Sequence, residues 1–512
     1  MHTRAVMPVF WTAVVSCTFS VWACGACLAQ TAEPDFVASD LQALASGALP
    51  AQQAGEAGQC QHDAVADADA IFASPDGDDA HDGSATHPVL TPGRALALMA
   101  ETGLRTAYFR SGTYLLAQPV LLGAGQAGMH LFGCGGERPV FQGAQGVPDT
   151  LVVVSDTHDV TLAHVLFGPT TPDGTALTLA HAQDCLIEDI ESSDAGTAIH
   201  LDHASGNRLV GNTIRNAART GIELQDASDD NVVAGNWING AGAPETHGGG
   251  IFLHGVRRNR VAANLIENTA GMGIGISNWD AATVNVGNTV IGNIIRRTDL
   301  TALDSGAIYL LGRSQVDTRT VITSNWVDGV GSPDPDGQRH NVGIYLDDST
   351  SGAVVVGNVV RNAGSDAVQI HGGSDNLVAN NILDLGPGNP SAVLFQAAPA
   401  DTGPTNAQIG NKVVRNIILS TSPAPKVYVW IEGGQPVIED NLYCGALGAA
   451  MAGSAPVADS SPVLAGPGCG GSPQDGEMLS VYALAREPAA ALIGFHPVGL
   501  PRIPAAARPA GQ

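Results

Sequence analysis

From about residue 150 to residue 420 the chain alternates short apolar stretches with polar corners, and the corners repeat. Asparagines five residues apart mark them: Asn207/Asn212, Asn231/Asn236, Asn259/Asn264, Asn288/Asn293, Asn376/Asn381 and Asn411/Asn416. Asp184/Asp189 reads as the same pair one repeat earlier, and in two repeats only the second asparagine remains, as Asn325 and Asn358. Successive second markers from Asn212 to Asn416 are 24, 28, 29, 32, 33, 23 and 35 residues apart. A variable period with fixed internal marks predicts solenoid coils whose loops differ in length. Between the markers lies a second stretch of small and β-branched residues, as in Gly221–Leu224, Gly250–Leu253, Gly273–Ile276 and Ala367–Ile370. Its alternation predicts short parallel strands with every second residue inside. The asparagines are expected at one corner, in the left-handed conformation, stacked amide on amide, and purely structural. A propeller would show a steadier period and antiparallel hairpin turns.

Two of the second strands stand apart. Ala307–Leu310 and Gly343–Leu346 are near-copies 36 residues apart, and each has a carboxylate at one end: Asp304 before the first, Asp347 and Asp348 after the second. Upstream, Ile71–Ala73, an Asp/Gly-rich turn over 76–84, a short helix over Arg94–Met99 and Ser111-Gly112-Thr113-Tyr114 follow one another. That order resembles the opening of exported right-handed β-helix proteins, in which the helix covers the first coil. The Asp-rich turn is first of all a turn; calcium there is the alternative. Asp304-Ser305-Gly306-Ala307-Ile308-Tyr309 and Gly343-Ile344-Tyr345-Leu346-Asp347-Asp348 resemble a β-helical glycoside hydrolase family that includes α-L-fucosidases and xylanases. Pro488–Pro497 is similar to that group's closing segment. The likeness covers roughly 70–500 and lacks the immunoglobulin-like insertion of some members. It implies an all-β, right-handed parallel β-helix of the pectate-lyase-like kind with an N-terminal capping helix. The fold alone hosts hydrolases, lyases and epimerases.

Aligning the second strands puts two columns on the outer face. One runs Asp202, Gln225, His254, Ser277, Leu311, Asp347, His371; the other runs His200, Glu223, Phe252, Gly275, Tyr309, Tyr345, Gln369. Coil neighbours in a column stand ~4.8 Å apart, so Asp347 is expected beside His371, Tyr345 and Tyr309. A carboxylate among aromatic and polar groups suits a sugar. Asp304 falls seven positions from the Asp347 column, roughly 23 Å along a straight strand. Cooperation requires the Ser305-Gly306 turn to fold it back, and the resemblance rather than the spacing pairs the two. Asp347 is assigned the general-acid role, Asp304 that of base or nucleophile, and Asp348 is the reserve second acid. Tyr309, Tyr345 and His371 are expected to bind substrate. Trp279 is a stacking platform or a core cover. His254 and His247 reach substrate or remain solvated, and Arg313 and Arg339 stand in loops beside the site. The Pro/Asp/Gly-rich loop Ser332–His340 reads as a wall of the cleft.

Composition narrows the partners. A formal charge of −26 with no Lys/Arg cluster excludes nucleic acid and makes a densely anionic polymer a poorer substrate. The first 29 residues read as a secretory signal: Arg4, an apolar stretch from Val6 to Leu28, and Ala29 before the cut. A retained anchor is the alternative; Trp22 makes Val21–Cys24 a poor lipidation box. Residues 30–69 read as a linker, 70–500 as one β-helix domain and 501–512 as a tail. No later apolar run is long enough to span a membrane. Five cysteines then remain, an odd number: Cys60, Cys134, Cys185, Cys444 and Cys469. Cys444 and Cys469 can close the excursion between them, Cys185 reads as a buried thiol, and no spacing suggests zinc.

The functional expectation is an exported monomer, periplasmic or extracellular, that hydrolyses glycosidic bonds with two carboxylates and no required metal. The alternatives are a lyase or C5-epimerase on uronic acid polymers, and a non-catalytic glycan binder. The mature chain is expected to begin near Gln30, which N-terminal sequencing checks; retained Met1 contradicts it.

Overall fold

The computed structural model describes residues 69–445 and Phe495, apart from 134–135, 145–148, 244–247, 278, 280, 332–337, 387–390, 399–407 and 421–425. The expected signal, linker, closing segment, tail and Cys444–Cys469 pairing lie outside the described residues, as do His247 and most of the 332–340 loop. Three parallel sheets of 14, 12 and 13 strands run the length of the chain, and each strand pairs with its counterpart one coil away. The chain is a right-handed parallel β-helix. Among the described residues no helix is long and apolar enough to cross a membrane.

Inside, like stacks on like. Ile199, Ile222, Ile251, Ile274, Ile308, Ile344, Val368 and Val393 follow one another in register, all fully buried. Each such side chain contributes roughly 1.5–3 kcal/mol of burial. Cys185 is buried as expected. Helix α1 (Pro92–Thr102) covers the first coil with Ala95, Leu96, Leu98 and Met99. Thr91 caps its N-terminus through Arg94 N–H, and Gly103 ends it at φ 78°.

The Asp-rich turn is consumed by this cap. Asp79 accepts from Leu90 N–H, Thr91 N–H and the Thr91 hydroxyl, while Asp78 and Asp82 accept from Ala80 and Ser84 N–H. Its carboxylates bind backbone, and among the described residues no group suited to a metal forms there.

The asparagines form two ladders at two corners rather than one. Asn207, Asn231, Asn259 and Asn288 begin the first, Thr320 and Ala353 interrupt it, and Asn376 and Asn411 resume it. The second runs unbroken from Asn212 to Asn441. Each Oδ1 accepts the backbone N–H of its counterpart one coil earlier, and most Nδ2 groups bind a carbonyl of the preceding turn. The left-handed residue is the one before each asparagine: Gly211, Gly235, Ala263, Gly292, Ser324, Gly357. Asp184 and Asp189 occupy that left-handed site, at φ 52° and 45°. The true counterparts of Asn207 and Asn212 one coil earlier are Cys185 and Ile190, whose N–H groups the ladder amides receive.

Asn264→Ala removes four hydrogen bonds, to Asn236 N–H, Asn236 Nδ2, Val233 O and Asn293 Oδ1, and leaves buried partners unmet. The expected loss is about 2–4 kcal/mol of stability, read from denaturant unfolding; a change below ~0.5 kcal/mol contradicts the ladder's role.

Candidate active site

Five successive strands of the 12-stranded sheet frame the site: β1 (Gly249–His254), β2 (Met272–Ile276), β3 (Asp304–Leu311), β4 (His340–Asp347) and β5 (Asp366–His371). The observed register is that of the expected columns: Phe252, Gly275, Tyr309, Tyr345 and Gln369 in one, Leu311 beside Asp347 in the other. Strands β3 and β4 have 8 residues where β1 and β5 have 6. They start two residues earlier, so Asp304 pairs with His340 and Ser305 with Asn341. The ladder skips Ala307 and Gly343, at a bend shared with other coils of this sheet. Asp304 therefore enters across a corner, and the straight-strand separation does not apply. Its carboxyl senses the charges of His340, Asp347, His371 and Asp348. Gly306 permits the close fit, because a Cβ there would stand 3.0 Å from Tyr345 Cβ.

At the other end of β4, Asp348 and Ser349 turn the chain at φ 37° and 72°. Thr350 ties the turn down through its N–H and hydroxyl to Asp347 O, at 3.1 and 2.8 Å. Gly312 makes room, since a Cβ on it would lie 2.2 Å from Thr350 N. The turn places two carboxyls side by side.

Donors converge on Asp347, which is 7% exposed. Tyr309 Oη donates to its Oδ2 at 2.6 Å, His371 Nδ1 lies 2.6 Å from its Oδ1, and Asp348 N–H donates to Oδ1 at 2.8 Å. Arg313 holds Asp348 through Nε and NH2, both 2.7 Å from Oδ2, and lies 4.2 Å over the Trp279 ring. Tyr345 packs edge-on against Tyr309 and His340, at 5.3 and 5.6 Å between ring centres. These rings join Met272, Leu311 and Val342 in an apolar cluster on the outer face, flanked by Phe252.

The protonation chemistry is uneven. Burial raises the Asp304 carboxyl above the ordinary range, opposed by His340 and assisted by the charge of Asp347, although solvent reaches Asp304. Burial and the neighbouring Asp347 likewise raise Asp348 against the pull of Arg313. For His371 burial opposes the charge, but the bond to Asp347 and the three nearby carboxyls outweigh it, so its pKa is raised. Burial and Asp347 keep Tyr309 protonated as a donor.

The structure thus gathers Asp304, Asp347, Asp348, Tyr309, Tyr345, His371, Arg313 and Trp279. His254 stands three coils before Asp347 in its column, about 14 Å away at the spacing of parallel strands, against the Phe252 ring. Trp279 is 53% exposed, a platform over Arg313 rather than a core cover. Arg339 turns to Leu300 O. His340 and Gln369, hydrogen-bonded to each other, belong to the cluster and were not among the expected site residues. Their positions in the Asp304 and Tyr345 registers were the available signal.

Comparison with known proteins bears on the fold. The family described as "Periplasmic copper-binding protein (NosD)" matches residues 153–389. The catalytic domain of a GH87 alpha-1,3-glucanase, solved with tetrasaccharides, is 12% identical with a TM-score of 0.53, covering 68% of this chain and 66% of that one. This chain thus spans just under two-thirds of that domain. A hyperthermoactive exopolygalacturonase from Thermotoga maritima is 11% identical at TM-score 0.44, covering 69% and 87%. The Streptococcus pneumoniae surface adhesin PfbA is 10% identical at 0.43, covering 67% and 94%. No curated protein sequence matches significantly. The likeness to the glucanase domain bears out the parallel β-helix fold and does not reach the narrower family of fucosidases and xylanases.

Asp347, Asp348 and His371 could hold a metal ion, with one ligand atom from each within 4.8 Å of the others. They fit copper poorly. The group offers a single imidazole and two carboxylates, without thiolate or thioether. His371 Nδ1 already faces Asp347, and Arg313 already holds Asp348.

His371 carries its proton at higher pH than a free imidazole, so its contribution to stability is complete below about pH 6.5 and is lost as the pH rises through its folded value. In Asp347→Asn the main partner is gone, and the midpoint of the His371 NMR titration is expected to fall below that of the wild type; an unchanged midpoint contradicts the pairing.

Proposed function

We propose that this chain is an exported glycoside hydrolase acting on a neutral poly- or oligosaccharide. One observation carries the reading: two carboxyl groups of one aromatic-lined face lie in opposite environments. Asp304 is reached by solvent and retains its proton above the ordinary carboxylate range. Asp347 is enclosed by donors, which occupy three of the roughly four acceptor sites of a carboxylate. A solvent-reached carboxylic acid beside a donor-enclosed carboxylate offers one group for the acid role and one for the base or nucleophile.

The division opposite to that expected from sequence fits better. Asp304 protonates the leaving glycosidic oxygen. Asp347 uses its remaining acceptor site toward the attacking water or the anomeric carbon, with Asp348 beside it. His371 and Tyr309 hold Asp347 in place, and the half-buried His340, backed by the buried Tyr345 ring, faces the sugar. Arg313 is committed to Asp348 and Trp279, which weighs against a lyase that needs a cation for a uronate. A binder that does no chemistry has no need of three carboxyls crowded together at a cost in desolvation. The periplasmic label of the matching family supports export.

Incubation with a panel of glycans tests the reading. New reducing ends without ultraviolet-absorbing unsaturated products are expected; unsaturated products indicate a lyase. Asp304→Asn and Asp347→Asn are each expected to lower turnover at least ~100-fold with the fold intact, and near-normal turnover in both places the chemistry elsewhere. Wild-type turnover is expected to fall on the alkaline side as Asp304 loses its proton, above the pH at which an ordinary aspartate would.

A further inference from the structure

Directly upstream of Asp304 lies an acid that the proposed reaction does not use. Asp299 follows the strand Ile294–Thr298 and begins the turn into β3. This turn has five residues, 299–303, whereas the equivalent connection three coils earlier, between Thr213–Ala217 and Thr220–Gln225, has two. The longer turn carries exposed Leu303 and delivers Asp304 to the groove. Its outer side is fastened by Leu300 N–H to Thr269 O, Thr301 N–H to Ala270 O and His340 N–H to Leu303 O.

Beneath it Asp299 is wholly buried, at φ 56°, with its own N–H bound to Gly271 O. Neither carboxyl oxygen has a partner at full hydrogen-bond geometry, and the same holds for the buried hydroxyls of Thr298 and Ser305. Those two hydroxyls are the polar groups that face it. Among the described residues no charged side chain acts on Asp299: the surrounding strands bring Thr269, Gly271 and Gly273, Arg339 goes to Leu300 O, and Asp304 lies outside.

We propose that Asp299 is a positioning residue for Asp304: its buried carboxylic group bridges Thr298 and Ser305 and so fixes the turn from which Asp304 enters the groove. An uncharged carboxylic acid donates to one hydroxyl and accepts from the other, satisfying three buried groups at once. A carboxylate could only accept, and would stand in an apolar pocket without a counter-charge. Burial accordingly pushes the Asp299 pKa up to about 7. Because the folded state keeps a proton that the unfolded chain releases near pH 4, stability falls as the pH rises from about 4 to about 7 and then levels off.

The consequence for turnover rests on Asp304 as a reacting acid, but the structural claim does not. Thermal midpoints from pH 4 to 8 and hydrogen–deuterium exchange over residues 299–310 test it on the full chain, with Asp299→Asn and Asp299→Ala. Asp299→Asn is expected to match wild type at pH 4, to exceed its midpoint by pH 8, and to keep wild-type protection at pH 6. Asp299→Ala is expected to speed exchange over 300–306 at least about tenfold. If it fails to fold, Ser305→Ala is expected to show the same local loosening. Wild-type protection in the folded Ala variant, or in Ser305→Ala where the Ala variant does not fold, overturns the proposal. So does an Asn variant less stable than wild type at every pH. With a substrate in hand, Asp299→Ala is expected to lower kcat with KM unchanged and Asp299→Asn to restore it.

Discussion

Every coil of this protein depends on its neighbours for the hydrogen bonds of its backbone. A parallel strand of two to eight residues cannot satisfy its own N–H and C=O groups, and an exposed solenoid corner would leave more unmet. The coils solve this by stacking in one register for the length of the chain, and by placing a buried asparagine at corners where the ladder would otherwise open. The side chain supplies an acceptor to one coil and a donor to another. Loops can then vary in length without disturbing the register, and the chemistry is confined to what those loops and the outer columns display.

The candidate site follows from two departures within that regularity. Strands β3 and β4 begin two residues early, which carries Asp304 and His340 around the corner and into the face of Asp347. The Asp348–Ser349 turn then doubles the acid at the far end. Three carboxyls so close together would repel one another; His371, Tyr309 and Arg313 hold two of them, and burial raises the pKa of the third. The electrostatic asymmetry comes from how the donors are distributed among three identical side chains.

Much of this was legible in the residues. The period, the strands and both outer columns follow from alternation and the asparagine marks, because a parallel register preserves sequence spacing from coil to coil. The misread parts are those that backbone conformation decides. A glycine and an aspartate look alike as turn residues, so the left-handed site before each asparagine was missed, and Asp184/Asp189 were set one position off. The bend at Ala307 has no separate signature, and a straight strand set Asp304 roughly 23 Å from the Asp347 column. His340 and Gln369 gain their meaning only across coils, and the burial of Asp299 depends on a turn whose path the sequence does not mark.

The central claim is that sugar binds between Asp304 and the Asp347–Asp348 pair, and it is tested most directly by the crystal structure of the Asp304→Asn variant with an oligosaccharide substrate bound. The account predicts a glycosidic oxygen within about 3 Å of the side chain at position 304, with a pyranose beside His340. A sugar bound only elsewhere on the solenoid, or a uronate carboxylate displacing Asp348 from Arg313, would contradict it.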